Sequence, residues 1–149
     1  MQLNSGIMDA ALGKILVVED NGAERESIIE LLKLWGYEVK SASDGVQALE
    51  ELSLCSVDLV LTDLRMPRMT GTQLLKELGH QLRSASCIVI SGEGNWREEV
   101  EVIRLGAYSF LEKPIDPERL RAEVRDCLAA RRSSGSFASA LIGDAQTHI

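Results

Sequence analysis

The stretch KILVV, from Lys14 to Val18, is an unbroken run of branched apolar residues behind a single lysine. A run of this kind is typical of a strand buried on both faces, as strands are in parallel sheets. A helix is predicted directly after it, because Asn21 precedes Glu24 by three residues, a capping arrangement, and apolar residues recur at helical spacing until Gly36. This strand and helix form the basic unit of an α/β fold.

The same alternation of strand and helix repeats along the chain. Further strands are predicted at 38–43, 57–62, 87–90 and 108–111, and further helices at 45–54, 71–78, 95–105 and from Asp116 onward. Short connections between such elements require right-handed crossovers and place helices on both faces of one parallel sheet. The expected fold is therefore a flavodoxin-like (βα)5 three-layer sandwich with strand order 2-1-3-4-5.

Composition divides the 149 residues into three expected segments. Residues 1–13 are expected to form a flexible N-terminal extension, residues 14–132 the folded domain, and residues 133–149, rich in Ser, Gly and Ala, a linker or disordered tail. The formal net charge of −7 disfavours direct binding of nucleic acid or an anionic membrane. With no run of transmembrane length either, a cytoplasmic location is expected.

Polar residues stand where four of the predicted strands end. Glu19 and Asp20 follow the first strand, Asp63 the third, Ser91 the fourth and Lys113 the fifth. Because the carboxyl ends of parallel strands meet at one edge of the sheet, these side chains are expected to lie together. Three carboxylates there would repel one another by roughly 4 kcal/mol per pair at about 4 Å, and a bound Mg²⁺ would relieve that repulsion.

This combination has the chemistry that phosphoryl transfer requires. Asp63 supplies a nucleophilic oxygen, Mg²⁺ and Lys113 neutralise charge, and Ser91 can hydrogen-bond the product. Taken singly, each residue also fits a plainer role, as a solvated loop, a helix cap, a turn residue or an exposed lysine. The convergence of four strand ends on one complementary set favours the functional interpretation.

Four segments of the sequence closely resemble receiver domains of two-component signalling, and the resemblance spans about residues 14–131. The segments are ILVVEDN (15–21), VDLVLTDLRMPRMTG (57–71), VISGEG (89–94) and GAYSFLEKP (106–114). The resemblance implies that Asp63 is the phosphoacceptor and that Glu19 and Asp20 form an acidic pocket. It also implies that Mg²⁺ is held by this pocket, through Asp20, together with Asp63 and the backbone carbonyl of Arg65.

The resemblance further implies a switch. Ser91 is the expected hydroxyl switch residue, and Lys113 the lysine that senses the phosphate, followed by a cis bond to Pro114. Phe110 stands where the family places an aromatic switch residue, although a core phenylalanine in the fifth strand explains it equally well. Phosphorylation is then expected to reshape the face made by the fourth helix, the fifth strand and the fifth helix.

The function implied is that of a signalling switch rather than an enzyme. A sensor histidine kinase or phosphotransfer protein would phosphorylate Asp63, and the domain would assist that transfer and its own dephosphorylation. The segment SGEGNW (91–96) is most similar to the corresponding segment of receivers of nitrogen-regulator-type ATPase transcription activators. This similarity implies transcription regulation through a fused or separate output domain. The resemblance to the receiver family also implies a homodimer through the face made by helix 4, strand 5 and helix 5.

Two other functions share this architecture, because fold does not fix function. A flavin- or nucleotide-binding module is disfavoured by the three carboxylates, which would repel an anionic cofactor unless Mg²⁺ bridged it. A constitutive interaction module is disfavoured by the intact set of Asp63 and Lys113.

Overall fold

A computed structural model of the chain describes residues 12–81, 85–93 and 95–148, with side chains for 12–79, 85–93 and 95–132. Five strands and five helices alternate along these residues. Their bounds are β1 (Lys14–Val18), α1 (Gly22–Leu34), β2 (Glu38–Ala42), α2 (Gly45–Leu54), β3 (Leu59–Asp63), α3 (Gly71–Gln81), β4 (Ser86–Ser91), α4 (Trp96–Arg104), β5 (Ser109–Glu112) and α5 (Pro117–His148).

The five strands form one parallel sheet in the order β2-β1-β3-β4-β5, which confirms the predicted fold. The register pairs Val18 at the end of β1 with Ala42 on one side and Thr62 on the other. Ser91 at the end of β4 pairs with Glu112 at the end of β5. The strand ends are therefore aligned, and the residues that follow them share one edge of the sheet, here called the carboxyl edge.

The sheet is covered on both faces, as the apolar strand sequences predict. Along β1, Ile15 and Val17 belong to a core cluster with α1 and α5, while Leu16 and Val18 belong to a second cluster with α2, α3 and α4. This alternation is the expected consequence of successive side chains pointing to opposite faces of a strand. None of the described helices combines the length and apolar character needed to span a membrane.

The ends of the helices follow local sequence features. Asn21 caps α1 by accepting a hydrogen bond from the N–H of Glu24 at 3.0 Å, as predicted. Asn95 caps α4 in a complete capping box with Glu98. Gly36, with φ of 99°, follows α1 in the left-handed conformation that glycine adopts without a steric penalty.

The last helix is longer than composition suggests. α5 continues to His148, whereas a linker or disordered tail is expected from residue 133. Between Pro117 and its end the helix contains no proline, and several of its last residues are alanines, the strongest helix formers. The role of this segment as a linker stays a prediction, and the expected extension at residues 1–13 lies outside the described residues except for its last two.

Candidate functional site

The carboxyl edge brings together the acidic residues that the sequence analysis singles out. Glu19 and Asp20 follow β1, and Asp63 is the last residue of β3. One carboxylate oxygen from each of the three lies within 4.8 Å of the others. Glu19 and Asp63 are buried and Asp20 is exposed, so the cluster opens to solvent on the side of Asp20.

Lys113, which follows β5, reaches into this cluster. Its Nζ lies 3.0 Å from Oε1 of Glu19, 3.3 Å from Oδ2 of Asp63 and 2.6 Å from Oε1 of Glu24 on α1. Partial burial alone would lower the pKa of Lys113, but the hydrogen bonds to Glu24 and Glu19 and the charge of Asp63 outweigh it and raise that pKa. Lys113 is therefore a permanent cation at the centre of the site.

Glu19 is the most enclosed carboxylate of the cluster, with a side chain 3% exposed. The N–H of Asn21 donates to its Oε2 at 3.1 Å, and the guanidinium of Arg25 donates to its main-chain carbonyl at 2.7 Å. Burial raises the pKa of Glu19 to about 7, against the lowering effect of its hydrogen bonds from Asn21 and Lys113. An ionised Glu19 is therefore costly at this position unless further positive charge is nearby.

Asp63 presents its two carboxylate oxygens to different partners. Its Oδ1 accepts a hydrogen bond from the N–H of Leu64 at 2.8 Å, and its Oδ2 faces Lys113. The side chain is 10% exposed. The carboxylate is thus held in one orientation, with an oxygen directed towards the ammonium group that could neutralise an incoming anion.

The donor set fits a hard divalent cation. Four carboxylates, the three of the cluster and that of Glu24, lie around the single ammonium group of Lys113, which contacts all of them except Asp20, so negative charge remains in excess. Oxygen ligands from one or two carboxylates, completed by water and phosphate, are what Mg²⁺ prefers. Asp20, exposed beside two buried carboxylates, is placed to bind such an ion. The contribution of the Arg65 carbonyl and of Glu19 to a metal site stays a prediction.

Ser91 completes the predicted set at the end of β4. Its side chain is buried, and its Oγ accepts a hydrogen bond from the N–H of Glu93 at 3.2 Å. The carbonyl of Ser91 accepts from the N–H of Lys113 at 3.0 Å, which ties the two strand ends together. The peptide bond between Lys113 and Pro114 is cis, as the resemblance implied.

The loop between β3 and α3 is fixed to its surroundings at three points. The N–H of Gly71 donates to the carbonyl of Leu64 at 2.8 Å, and a Cβ on Gly71 would lie 2.4 Å from the carbonyl oxygen of Asp63. Arg68, with φ of 69°, pairs with Asp44 at the start of α2, with Nη2 2.9 Å from Oδ2. The loop that follows Asp63 is therefore closely packed rather than free.

The third attachment of this loop leads to α4. The Nη2 of Arg65 lies 2.8 Å from each carboxylate oxygen of Glu98, the same residue that completes the capping box of α4. Phe110 on β5 is partly buried and packs against the core cluster shared with α4. This packing agrees with the interpretation of Phe110 as a core residue, and its role in switching stays a prediction.

Sequence reasoning missed three of these contacts. The spacing of Asn21 and Glu24 predicts a capping arrangement for α1, but the carboxylate of Glu24 pairs with Lys113. The other two are the ion pairs of Arg68 with Asp44 and of Arg65 with Glu98. They join residues from different elements that have no characteristic spacing along the chain, so no sequence pattern indicated them.

Comparison with known proteins agrees with this geometry. The family model described as "Response regulator receiver domain" matches residues 15–125. The two-component response regulator PhoP of Pseudomonas aeruginosa is 35% identical over 128 residues, which are 86% of this chain and 56% of PhoP. The transcriptional regulatory protein ZraR of Klebsiella oxytoca is 36% identical over 122 residues, 82% of this chain and 28% of ZraR.

A solved structure shows the same likeness in three dimensions. The crystal structure of NtrX from Brucella abortus superimposes with a TM-score of 0.81 and 31% identity, covering 85% of this chain and 29% of NtrX. The chain thus spans about half of PhoP and less than a third of ZraR and NtrX. A buried aspartate facing a lysine among acidic residues, on a fold shared with these regulators, places the chain in the response regulator receiver family, the phosphorylatable switch domains of two-component signalling.

Proposed function

We propose that Asp63 is the phosphoacceptor of this receiver domain and that a histidine kinase or phosphotransfer protein is the donor. The observation that carries this proposal is the position of Oδ2 of Asp63, 3.3 Å from Nζ of Lys113 and within the three-carboxylate cluster. Asp63 combines a fixed orientation with a cation beside its nucleophilic oxygen. Glu19 is turned towards Lys113 and Asn21 from a more enclosed position, and Asp20 lacks the lysine contact.

In the proposed reaction, a carboxylate oxygen of Asp63 attacks the phosphorus of a phosphohistidine. A bond forms between that oxygen and phosphorus, the bond from phosphorus to the histidine nitrogen breaks, and the leaving nitrogen keeps the electron pair. Lys113 neutralises charge on the phosphoryl oxygens, and Glu19 holds Lys113 in place. The Ser91 hydroxyl would donate to a phosphoryl oxygen of the product. Mg²⁺ bound by Asp20, Asp63 and the Arg65 carbonyl, with Glu19 nearby, would supply further charge neutralisation.

The groove beside Lys113 is the surface on which we propose that the donor docks. It has a volume of about 680 Å³ and lies between α1 and the segment leading from β5 into α5. Its lining is mostly apolar, including Ile28, Leu31 and Ile115, and Lys113 lies at its border. A donor helix with an apolar face seated here would bring its phosphohistidine close to Asp63.

We propose that the phosphorylated state is transmitted through the face made by α4, β5 and α5. Trp96, Val100 and Ile103 form an exposed apolar stripe on α4, at the spacing of one helix face. A homodimer through this face, or contact with a fused or separate output domain that regulates transcription, would cover the stripe. Light scattering with and without a phosphoryl mimic tests the homodimer, and an unchanged monomer would count against it. The expected site of action is the cytoplasm.

The first experiment measures the intact mass of the chain after incubation with acetyl phosphate, with and without Mg²⁺. We expect the gain of one phosphoryl group in the wild type with Mg²⁺, and no gain in Asp63→Asn. Asp58→Asn is the matched control, because Asp58 lies before β3 at the opposite end of the same strand. Incorporation that persists in Asp63→Asn contradicts the assignment of the acceptor. No incorporation from acetyl phosphate or from a phosphorylated donor domain would shift support to a constitutive interaction module.

A further inference from the structure

Glu24 is the closest partner of the lysine at the centre of the site. Its Oε1 lies 2.6 Å from Nζ of Lys113, whereas Glu19 and Asp63 lie 3.0 and 3.3 Å from the same atom. Glu24 stands in the first turn of α1 and not at a strand end, and it lies outside the three-carboxylate cluster. It also lines the groove beside Lys113. A fourth carboxylate therefore faces the approach to the phosphoacceptor.

The carboxylates of Glu24, Glu19 and Asp63 all lie within 3.3 Å of Nζ of Lys113, and an ammonium group has only three N–H donors. A phosphoryl group arriving at Asp63 is another anion that requires the same ammonium. Its oxygens lie beyond the carboxylate to which they are attached, so Lys113 must turn towards them and give up part of its present contacts. At least one of its three present partners must therefore move away from Nζ.

Glu19 and Glu24 differ in burial, and this difference indicates that Glu24 is the partner that moves. The side chain of Glu19 is 3% exposed and its second oxygen is held by the N–H of Asn21, so it cannot leave without losing two hydrogen bonds in a buried position. Glu24 is 46% exposed, and its side chain makes no second hydrogen bond among those described. It can turn into water at little cost. The cap of α1 does not depend on this side chain, because Asn21 accepts from the main-chain N–H of Glu24.

We propose that Glu24 is a positioning residue that competes with the incoming phosphoryl group for Lys113, and thereby limits how readily the site accepts an anionic phosphodonor. This inference rests on the proposed function of Asp63. Glu24 holds Lys113 on the α1 side of the site until the phosphoryl oxygens displace it. Because Glu24 also lines the groove, a docked donor that offers Glu24 another cation would release Lys113 at the moment of transfer.

The test compares the rate constant of phosphorylation by acetyl phosphate, and the affinity for beryllofluoride as a phosphoryl mimic, in wild type and variants. For Glu24→Gln we expect both to rise about threefold, the size of a half-exposed ion pair, and the rise to shrink at high ionic strength. Glu26→Gln is the matched control, because Glu26 is an exposed glutamate on the same helix that forms no ion pair with Lys113. It is expected to match the wild type.

Glu24→Asp separates contact from charge. The shorter side chain keeps the negative charge but cannot span the same distance to Lys113, so competition for the lysine predicts an increase approaching that of Glu24→Gln. An aspartate variant equal to wild type, an equal rise in Glu26→Gln, or a Glu24→Gln variant that is unchanged or slower would each overturn the inference. A wild type that takes up neither phosphoryl group nor beryllofluoride would instead contradict the proposed function itself.

Discussion

The two edges of the sheet carry ion pairs of different kinds. At the amino edge, where the strands begin, Lys14 pairs with Glu38 at 3.6 Å and Arg131 with Asp58 at 4.0 Å, and these side chains are 28% to 51% exposed. At the carboxyl edge, Glu19 is 3%, Asp63 10% and Lys113 21% exposed. The charged side chains at the centre of the carboxyl edge are therefore more enclosed than those of the amino edge, whereas Asp20 and Glu24 at its margin are exposed.

This difference separates charges that stabilise a fold from charges that serve a reaction. Exposed ion pairs contribute about 0 to 1 kcal/mol and can be lost with little effect. A buried carboxylate costs stability when it is ionised, and burial, with a smaller contribution from the charge of Asp63, raises the pKa of Glu19. The carboxyl edge therefore holds an arrangement that folding alone disfavours, and matched changes at the two edges should have unequal consequences.

The largest contrast is expected between two glycines of α3. A Cβ on Gly71, at the carboxyl edge, would lie 2.4 Å from the carbonyl oxygen of Asp63, whereas a Cβ on Gly79 meets nothing within 4 Å. Gly71→Ala should destabilise the protein by about 3 kcal/mol, because the main chain around Asp63 must move, and should strongly reduce phosphorylation. Gly79→Ala should stabilise it by up to about 1 kcal/mol through helix propensity. Urea unfolding measures both, and equal effects would contradict the described packing.

The second contrast concerns pH and Glu19. Its pKa rises from 4.5 to about 7 on folding, so between these values the folded state binds a proton that the unfolded state lacks. Stability in Mg²⁺-free buffer should therefore fall by about 2 to 3 kcal/mol as pH rises through this window. Glu19→Gln should remove this dependence, and Glu38→Gln at the amino edge should leave it intact. Unfolding curves between pH 5 and 8 test it, and a variant that keeps the full slope would refute the role of Glu19.

The smallest contrast compares two aspartates. Asp44→Asn loses the ion pair with Arg68 but retains an oxygen that can cap α2, so we expect a loss of about 0.5 to 1 kcal/mol at neutral pH. Hydrogen bonding from the N–H of Gln47, together with Arg68, lowers the pKa of Asp44, so this advantage should disappear as pH falls through that lowered value. Asp58→Asn, which can still accept from the N–H of Lys14, should change stability less. Thermal unfolding at neutral and acid pH distinguishes the two.

Much of the fold follows from the sequence because its elements are set by local pattern. The apolar run of β1 and the cap at Asn21 depend on neighbouring residues alone, and the structure confirms both. The juxtaposition of Glu19, Asp20, Asp63 and Lys113 follows equally, because strand ends in a parallel sheet share one edge. These predictions needed topology but no knowledge of side-chain conformations.

The contacts that could not be predicted involve side chains for which more than one partner is suitable. Glu24 satisfies the spacing of a capping box, and only the position of Lys113 in the folded chain gives its carboxylate a stronger partner. Arg65 and Glu98 are 33 residues apart and lie in elements whose relative placement is a tertiary property. Composition also failed to indicate that α5 extends to His148, since Ser- and Gly-containing segments are compatible with helix as well as with a tail.

The ion pair of Arg65 with Glu98 couples helix α4 to the loop that follows Asp63. One carboxylate both completes the cap of α4 and anchors the loop that follows Asp63. A change that strengthens or weakens the contact of Glu98 with the cap of α4 therefore also changes its contact with Arg65. If the binding of a partner to α4 depends on Glu98, phosphorylation at the proposed acceptor Asp63 would change the affinity for that partner by some factor. By thermodynamic linkage, binding of the partner would then change the phosphorylation equilibrium by the same factor. The protein that binds α4 would then influence the phosphorylation of this domain as well as respond to it.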